Sequence, residues 1–426
     1  MQTIANASKI APGVKKFEFD LESLRGFAAL LVVVWHAVAI SNCLDPHYTP
    51  SGILGALVDC QIPAHFCVLI FFVLSGYVIG LSTKGYLQLT TAGPYLKKRL
   101  VRIYPIYLIS ILAALAVSVP VYPWRTILGN LVFLQIIFSP IIVENGPSWS
   151  LHYEVLYYLL FIPFSLSRIS PVLVIGSCLA VGLLTMQYFS SSPLPASYAF
   201  GFAFWCCGWA ISRYVVQANR VERSYTLLLS TLLLFFSLGR FNYLDALLGQ
   251  LFHFGFGHDL AFPVGLDIYK TMLSAHDFAY LPYAMVGVLV FTHNRFRFRQ
   301  VVLSVLFLLP SFTFFHLVRY HATIYKTPWL LPTLSYCLAL VLFFKPSKRV
   351  DVISQKLMLL LTKIGGISYG LYIIHFPILF AFQKVNTFSG SGLTYWIRFT
   401  LFILLSLLAA YLLEKKFQMW MRKILE

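Results

Sequence analysis

Hydrophobic residues in this chain fall into continuous runs of about 15 to 20 rather than into alternating apolar and polar positions. A helix needs about 20 apolar residues to cross about 30 Å of hydrocarbon, and it satisfies every backbone group internally, whereas a barrel strand would alternate. The runs predict spans near residues 26–41, 66–83, 103–119, 148–166, 171–189, 197–212, 225–240, 280–294, 300–318, 329–345, 365–383 and 395–413. The expected fold is therefore all-α, a polytopic bundle of about 10–12 transmembrane helices. A weaker stretch at 126–143 carries Asn130 and Gln135 and is expected to be re-entrant or peripheral. No polar block is long enough for a separate soluble domain. Residues 1–20 read as an N-terminal tail and 21–426 as one membrane domain. A charged leader of about 25 residues precedes the first run and no convincing small-x-small site follows it, so that run is expected to stay as a span.

Composition agrees: 59% of the 426 residues are hydrophobic and only 11% are charged. The net charge of +17 could suggest a nucleic-acid partner, but the basic residues sit in short clusters between apolar runs. Loop 42–65 has no Lys or Arg, whereas segment 84–102 has Lys84, Lys97, Lys98, Arg99 and Arg102. That asymmetry is the positive-inside pattern, which predicts cytoplasmic N- and C-termini and excludes a nucleic-acid role. Five of the seven cysteines lie in or beside spans and read as packing residues; Cys43 and Cys60 share one loop, where a disulfide stays open. Loop 241–279 holds His253, His258, Asp259, Asp267, His276 and Asp277, but in no known ligand spacing, so a folded outer loop is expected there and no metal.

The candidate chemistry lies in polar residues that a lipid-facing helix would avoid. In "LESLRGFAALLVVVWHAVAI", Arg25 and His36 are eleven residues apart. At about 100° and 1.5 Å per residue they share one helix face about 16 Å apart along the axis, one near the cytoplasmic mouth and one deep in the membrane. Burial cost directs both toward protein or a water-filled cavity. In "YLKKRLVRIYPIY", Arg99 and Arg102 fall at the inner mouth of the third span, either as orientation signals or as a grip for phosphates. "GPSWSLHYEVLYYLLF" aligns Ser150 and Glu154 at i, i+4, and a membrane carboxylate wants a cationic or hydrogen-bonding partner; His152 is off that face. Ser75 and Gly76 in "FFVLSGYVIG" read as a close helix contact or as site residues, and His375 in "GGISYGLYIIHFPILF" as packing or chemistry.

Six segments, "LESLRGFAALLVVVWHA", "FFVLSGYVIG", "YLKKRLVRIYP", "WSLHYEVLYYLLF", "ISYGLYIIHFP" and "YLLEKKF", resemble in order the motifs of the acyltransferase 3 family of integral-membrane O-acyltransferases. The resemblance spans nearly the whole chain, although Lys416 stands where a proline is often found. It implies transfer of an acyl group, commonly acetyl, from cytoplasmic acyl-CoA to a hydroxyl of a cell-envelope polysaccharide, lipid-linked sugar or related carbohydrate in the bacterial inner membrane. It matches Arg25 and His36 to the family's arginine and histidine, and Arg99 and Arg102 to its paired cytoplasmic arginines. His36 and Glu154 are then the expected catalytic pair. Arg25, Arg99 and Arg102 would hold the donor, with Ser75, Trp149, Ser150 and His375 against substrate. The expected partners are acyl-CoA, the carbohydrate or glycolipid acceptor and membrane lipids; homodimerisation stays open. A transporter or flippase of a lipid-linked sugar is the alternative, weakened by the lack of an internal repeat.

Overall fold

Long apolar runs become helices because a segment that cannot reach water must hydrogen-bond its own backbone. The computed structural model describes residues 15–52, 55, 59–83, 86–215, 220–320 and 327–425. Residues 1–14 of the expected tail and Lys84 lie outside these. In chain order the main helices are α1 (Lys15–Ala39), α2 (Ala64–Ser82), α3 (Leu89–Val117), α4 (Trp124–Leu131), α5 (Ser148–Leu166), α6 (Pro171–Tyr188), α7 (Leu194–Tyr214) and α8 (Tyr225–Phe241). There follow α9 (Tyr243–Phe256), α10 (Leu281–Phe291), α11 (Arg299–Tyr320), α12 (Thr327–Phe344), α13 (Lys348–Gly365), α14 (Ser368–Gln383), α15 (Gly392–Leu412) and α16 (Gln418–Leu425). Among the described residues the only strand-like pairings are two isolated bridges, and the protein is all-helical.

Among the described residues seven helices are long and apolar enough to cross a membrane, nine if each of two bent pairs counts as one span, and two shorter apolar helices accompany them. One bent pair is α8 with α9, at 46°. The segment 241–279, expected as a folded loop, thus opens as a helix that ends at Gly257, whose φ of 77° is the left-handed cap that glycine adopts most readily. The other pair is α13 with α14, at 70°. Helix α13 escapes a search for apolar runs because it is amphipathic, with Lys348, Arg349, Asp351, Lys356 and Lys363 among its apolar positions. Helix α3 starts at Leu89, well before the expected 103, so Arg99 and Arg102 lie inside a helix rather than at its edge. Charge broke the apolar run there but not the helix.

Two glycine contacts bring the helices of the site together. A Cβ at Gly76 of α2 would fall 1.8 Å from the Trp205 carbonyl of α7, and one at Gly208 of α7 would fall 1.9 Å from the Val73 carbonyl of α2. On the other side of the bundle a Cβ at Gly26 of α1 would meet the Leu361 carbonyl of α13 at 2.0 Å. These are backbone-on-backbone crossings that only glycine permits.

The segment after α3 does not span. Helix α4 has eight residues, about 12 Å of rise, and the chain then runs irregularly to α5 with Phe133 and Ile136 at positive φ. The buried Asn130 ties it together: its Nδ2 donates to the carbonyls of Thr126 (2.9 Å) and Pro140 (2.8 Å), and its Oδ1 accepts from the Ile142 amide (3.3 Å). Buried Gln135 donates to Tyr107 Oη (3.2 Å) and to the Ser148 carbonyl (3.3 Å). The two amides predicted to mark this stretch carry its internal order.

Candidate active site

Helix α1 presents Arg25 and His36 to two cavities that share a wall. The first is lined by Arg25, Arg99, Arg102, Ser75, Ser150, Glu154, Tyr158, Tyr369 and Tyr372, the second by His36, Trp35, His65, Trp149, Tyr269, Tyr280, Tyr372 and Phe376. Val68 and Tyr372 belong to both. The second cavity encloses about 550 Å³.

In the first cavity three guanidiniums converge from two helices. Arg25 pairs with Glu22 at 2.9 Å, one turn away. Arg99, buried, reaches Ser82 Oγ at 3.4 Å and leaves its buried Nε without a hydrogen-bond partner. Glu414, from the break between α15 and α16, accepts from the Gly370 amide at 3.0 Å and interacts with Arg102 and Arg25. Glu154 also lines this cavity; Ser75 Oγ donates to its Oε1 at 2.8 Å and Tyr158 donates to the same oxygen. Trp205 Nε1 donates to Ser75 Oγ at 3.2 Å. The Ser75–Gly76 pair therefore divides its work: Gly76 makes the helix crossing and Ser75 joins the polar network. Ser150 Oγ lies 2.8 Å from Tyr372 Oη, on the shared wall.

In the second cavity His36 meets His375. Nδ1 of His375 donates to the Leu371 carbonyl one turn back (3.1 Å), and its Nε2 lies 3.0 Å from Nδ1 of His36. A carbonyl only accepts, so the proton of a neutral His375 sits on Nδ1 and its Nε2 carries a lone pair. Nδ1 of His36 must then be the donor, which leaves Nε2 of His36 as the ring's basic atom. Trp35 and Phe376 meet the His36 ring edge-on, at 4.8 Å and 4.9 Å between centroids. Buried Trp149 sits in this cavity as well, beside His65.

The structure thus brings Arg25, Arg99, Arg102, Ser75, Ser150 and Glu154 to one cavity and His36 and Trp149 to the other, with His375 directly behind His36. Glu154 is on the arginine side, away from the imidazole that sequence pairing assigned to it. His152 has both nitrogens engaged, Nδ1 with the Phe133 carbonyl (2.7 Å) and Nε2 with Tyr198 Oη (2.5 Å), which is a packing role. His65 is absent from the sequence candidates: it begins a span, where an interfacial histidine is unremarkable, and its partner Asp277 is 212 residues away. Cys43 and Cys60 are each buried and are not joined by a disulfide.

A family model described as "Acyltransferase domain" matches residues 18–415. A curated relative, "Acyltransferase MdmB" of Streptomyces mycarofaciens, is 29% identical over 192 residues, which is 42% of this chain and 48% of that protein. The chain thus spans about half the length of the relative it matches. No solved structure matches. The family match runs from ahead of Arg25 to beyond Glu414, across every element that lines the two cavities, and on that extent the chain belongs to the acyltransferase 3 family of membrane acyltransferases.

Proposed function

We propose that this protein moves an acyl group, acetyl in the first instance, from acyl-CoA to a hydroxyl of a carbohydrate acceptor at the bacterial inner membrane. The observation that carries the reading is that Arg25 and His36, on one face of α1, open onto two cavities separated by a single wall at Val68 and Tyr372. One cavity is built for anions and the other for catalysis beside aromatic surface.

Arg25, Arg99 and Arg102 hold the CoA phosphates, and the buried, unpartnered Nε of Arg99 is the donor such a ligand would satisfy. The positive-inside charge pattern supports a cytoplasmic position for that cavity, where acyl-CoA is made. The thioester is carried past Tyr372 toward His36. His36 Nε2 takes the proton from the acceptor hydroxyl as its oxygen attacks the thioester carbonyl. The C–S bond breaks, His36 returns the proton to the leaving thiolate, and an ester and free CoA result. His375 Nε2 accepts from His36 Nδ1 throughout, so the imidazolium formed midway keeps a hydrogen bond. Glu154 is a positioning residue that orders Ser75 and Tyr158 along the donor cavity.

General-base assistance contributes about 10²- to 10⁴-fold, so His36→Gln should lose at least about 10²-fold in acyl transfer with acyl-CoA binding retained. The test is release of CoA thiol by purified full-length protein in nanodiscs, with mass spectrometry of the products. Near-normal turnover in His36→Gln removes His36 from catalysis. Movement of a lipid-linked sugar with no acyl-CoA consumed would transfer the reading to transport.

A further inference from the structure

Opposite His36, the second cavity carries a group that the mechanism above does not use. His65, in the first turn of α2, has its Nε2 2.9 Å from Asp277 Oδ1. Asp277 belongs to the short helical turn Ala275–Ala279 of the outer segment and is itself held, because its Oδ2 accepts from the Ser274 amide at 2.8 Å. A carboxylate only accepts, so Nε2 of His65 is the donor and Nδ1 of the neutral ring is its free acceptor. The ring lies face to face with Trp149, at 6.4 Å between centroids and 21° between planes. Its side chain keeps 36% of its surface exposed, and what it faces is the cavity that His36 lines.

This is an oriented histidine set in an aromatic wall of the same cavity that the catalytic imidazole lines. Asp277 and Trp149 fix the ring, so Nδ1 is presented without the entropy cost of ordering it. The aromatic lining, Trp149, Tyr269 and Phe376 included, supplies apolar surface suited to the C–H side of a pyranose ring, while polar groups among it can read its hydroxyls. Two imidazoles in one chamber mean that an acceptor placing one hydroxyl at His36 can present another to His65.

We infer that His65, held by Asp277, is an acceptor subsite: its Nδ1 accepts a hydrogen bond from a second hydroxyl of a sugar whose first hydroxyl is acylated at His36. This rests on the transfer reading above and narrows it to acceptors carrying at least two hydroxyls. A site that hydrogen-bonds a substrate hydroxyl discriminates against the analogue lacking it, because that analogue leaves the oriented acceptor without its partner.

The test uses full-length protein in nanodiscs with acetyl-CoA, a panel of methyl glycosides of common hexoses as probe acceptors, and each glycoside's monodeoxy analogues. His65→Phe keeps the ring stacked on Trp149 and removes the acceptor; Asp277→Asn leaves the acceptor but loosens its orientation. Transfer at low acceptor concentration should fall at least tenfold in His65→Phe, mostly through acceptor KM, with hydrolysis of acetyl-CoA by water within twofold of wild type. One monodeoxy analogue should cost the wild type about as much and cost His65→Phe nothing further. Asp277→Asn should fall between. Transfer by His65→Phe at the wild-type rate overturns the subsite and leaves the transfer reading standing. Hydrolysis and transfer falling together in both variants overturns it too, reducing the pair to a brace for the outer segment. Wild type that hydrolyses acetyl-CoA but acylates no glycoside overturns the sugar as occupant. Wild type that consumes no acetyl-CoA at all brings down the proposed function itself.

Discussion

Replacing His375 by phenylalanine tests the two-imidazole arrangement without touching the catalytic ring. The substitution keeps a ring of similar size at a buried position and deletes the acceptor 3.0 Å from His36 Nδ1. In the resting enzyme that hydrogen bond joins neutral partners and is worth about 1 kcal/mol. When His36 Nε2 takes the acceptor's proton the donor becomes an imidazolium, and a hydrogen bond to a charged group is worth about 1.5–3 kcal/mol. Removal also leaves His36 free to carry its proton on Nε2, the wrong nitrogen for a base. Because the resting bond is lost as well, kcat should fall by the difference, about 0.5–2 kcal/mol or about 2- to 30-fold, with KM for acyl-CoA unchanged. His375→Asn, whose carbonyl can still accept, should recover part of it. The assay is steady-state CoA release alongside acyl-CoA binding for His36→Gln, His375→Phe and the double variant. Because both rings act as one unit, the double variant should be no slower than His36→Gln alone. A fully active His375→Phe, or effects that multiply in the double variant, would refute the relay.

Arg99→Ala or Arg102→Ala should weaken acyl-CoA binding by about 1.5–3 kcal/mol for each charge-assisted hydrogen bond to phosphate that is removed, or about 10- to 150-fold in Kd, and wild-type affinity should fall with added salt. Calorimetry on correctly inserted variants checks this, and unchanged affinity would reduce both residues to orientation signals. Beyond α9, His276 Nδ1 lies 2.7 Å from Asp245 and Nε2 lies 2.8 Å from Asp259. Burial alone would lower its pKa, but the hydrogen bonds and charges of Asp259 and Asp245 outweigh that and raise it above 6.5. A group whose folded pKa is raised contributes fully below the unfolded value, so this brace is complete below pH 6.5 and weakens as pH rises through the folded value. Amide exchange of residues 257–274, corrected for intrinsic rate, should quicken from pH 6 to pH 8.5 in wild type and lose that dependence in His276→Gln; a slope of opposite sign refutes it.

Much of the site is legible in spacing alone. Eleven residues between Arg25 and His36 place them on one face at different depths, and the two cavities of α1 realise that separation. Ser148–Leu166 folds as a helix at the expected bounds, although Ser150, His152 and Glu154 interrupt its apolar run. Helix α13 and the part of α3 before residue 103 are illegible to hydropathy because charges, Lys97, Lys98, Arg99 and Arg102 in α3, interrupt them, although their helical period continues. The His36–His375 and His65–Asp277 pairs join residues 339 and 212 positions apart, and nothing local marks them as partners. Glu154 reads as a carboxylate in search of a cationic or hydrogen-bonding partner, and its direct donors are the hydroxyls of Ser75 and Tyr158.

The stretch from Trp124 to Pro147 bears on how the protein is made. An eight-residue helix followed by irregular chain offers the insertion machinery nothing it can release into lipid as a finished span. Much of its backbone is paired internally, but its fastening to the bundle waits on neighbours: Tyr107 Oη of α3 donates to the Asn130 carbonyl at 2.7 Å, and the Gln135 side chain donates to the Ser148 carbonyl at the head of α5. Helices α3 and α5 must therefore be in place before this piece can settle, which makes it a late step of biogenesis. A lesion at Asn130 would then surface during synthesis, as chains that stall and are cleared by quality-control proteases, while the molecules that escape would turn over normally.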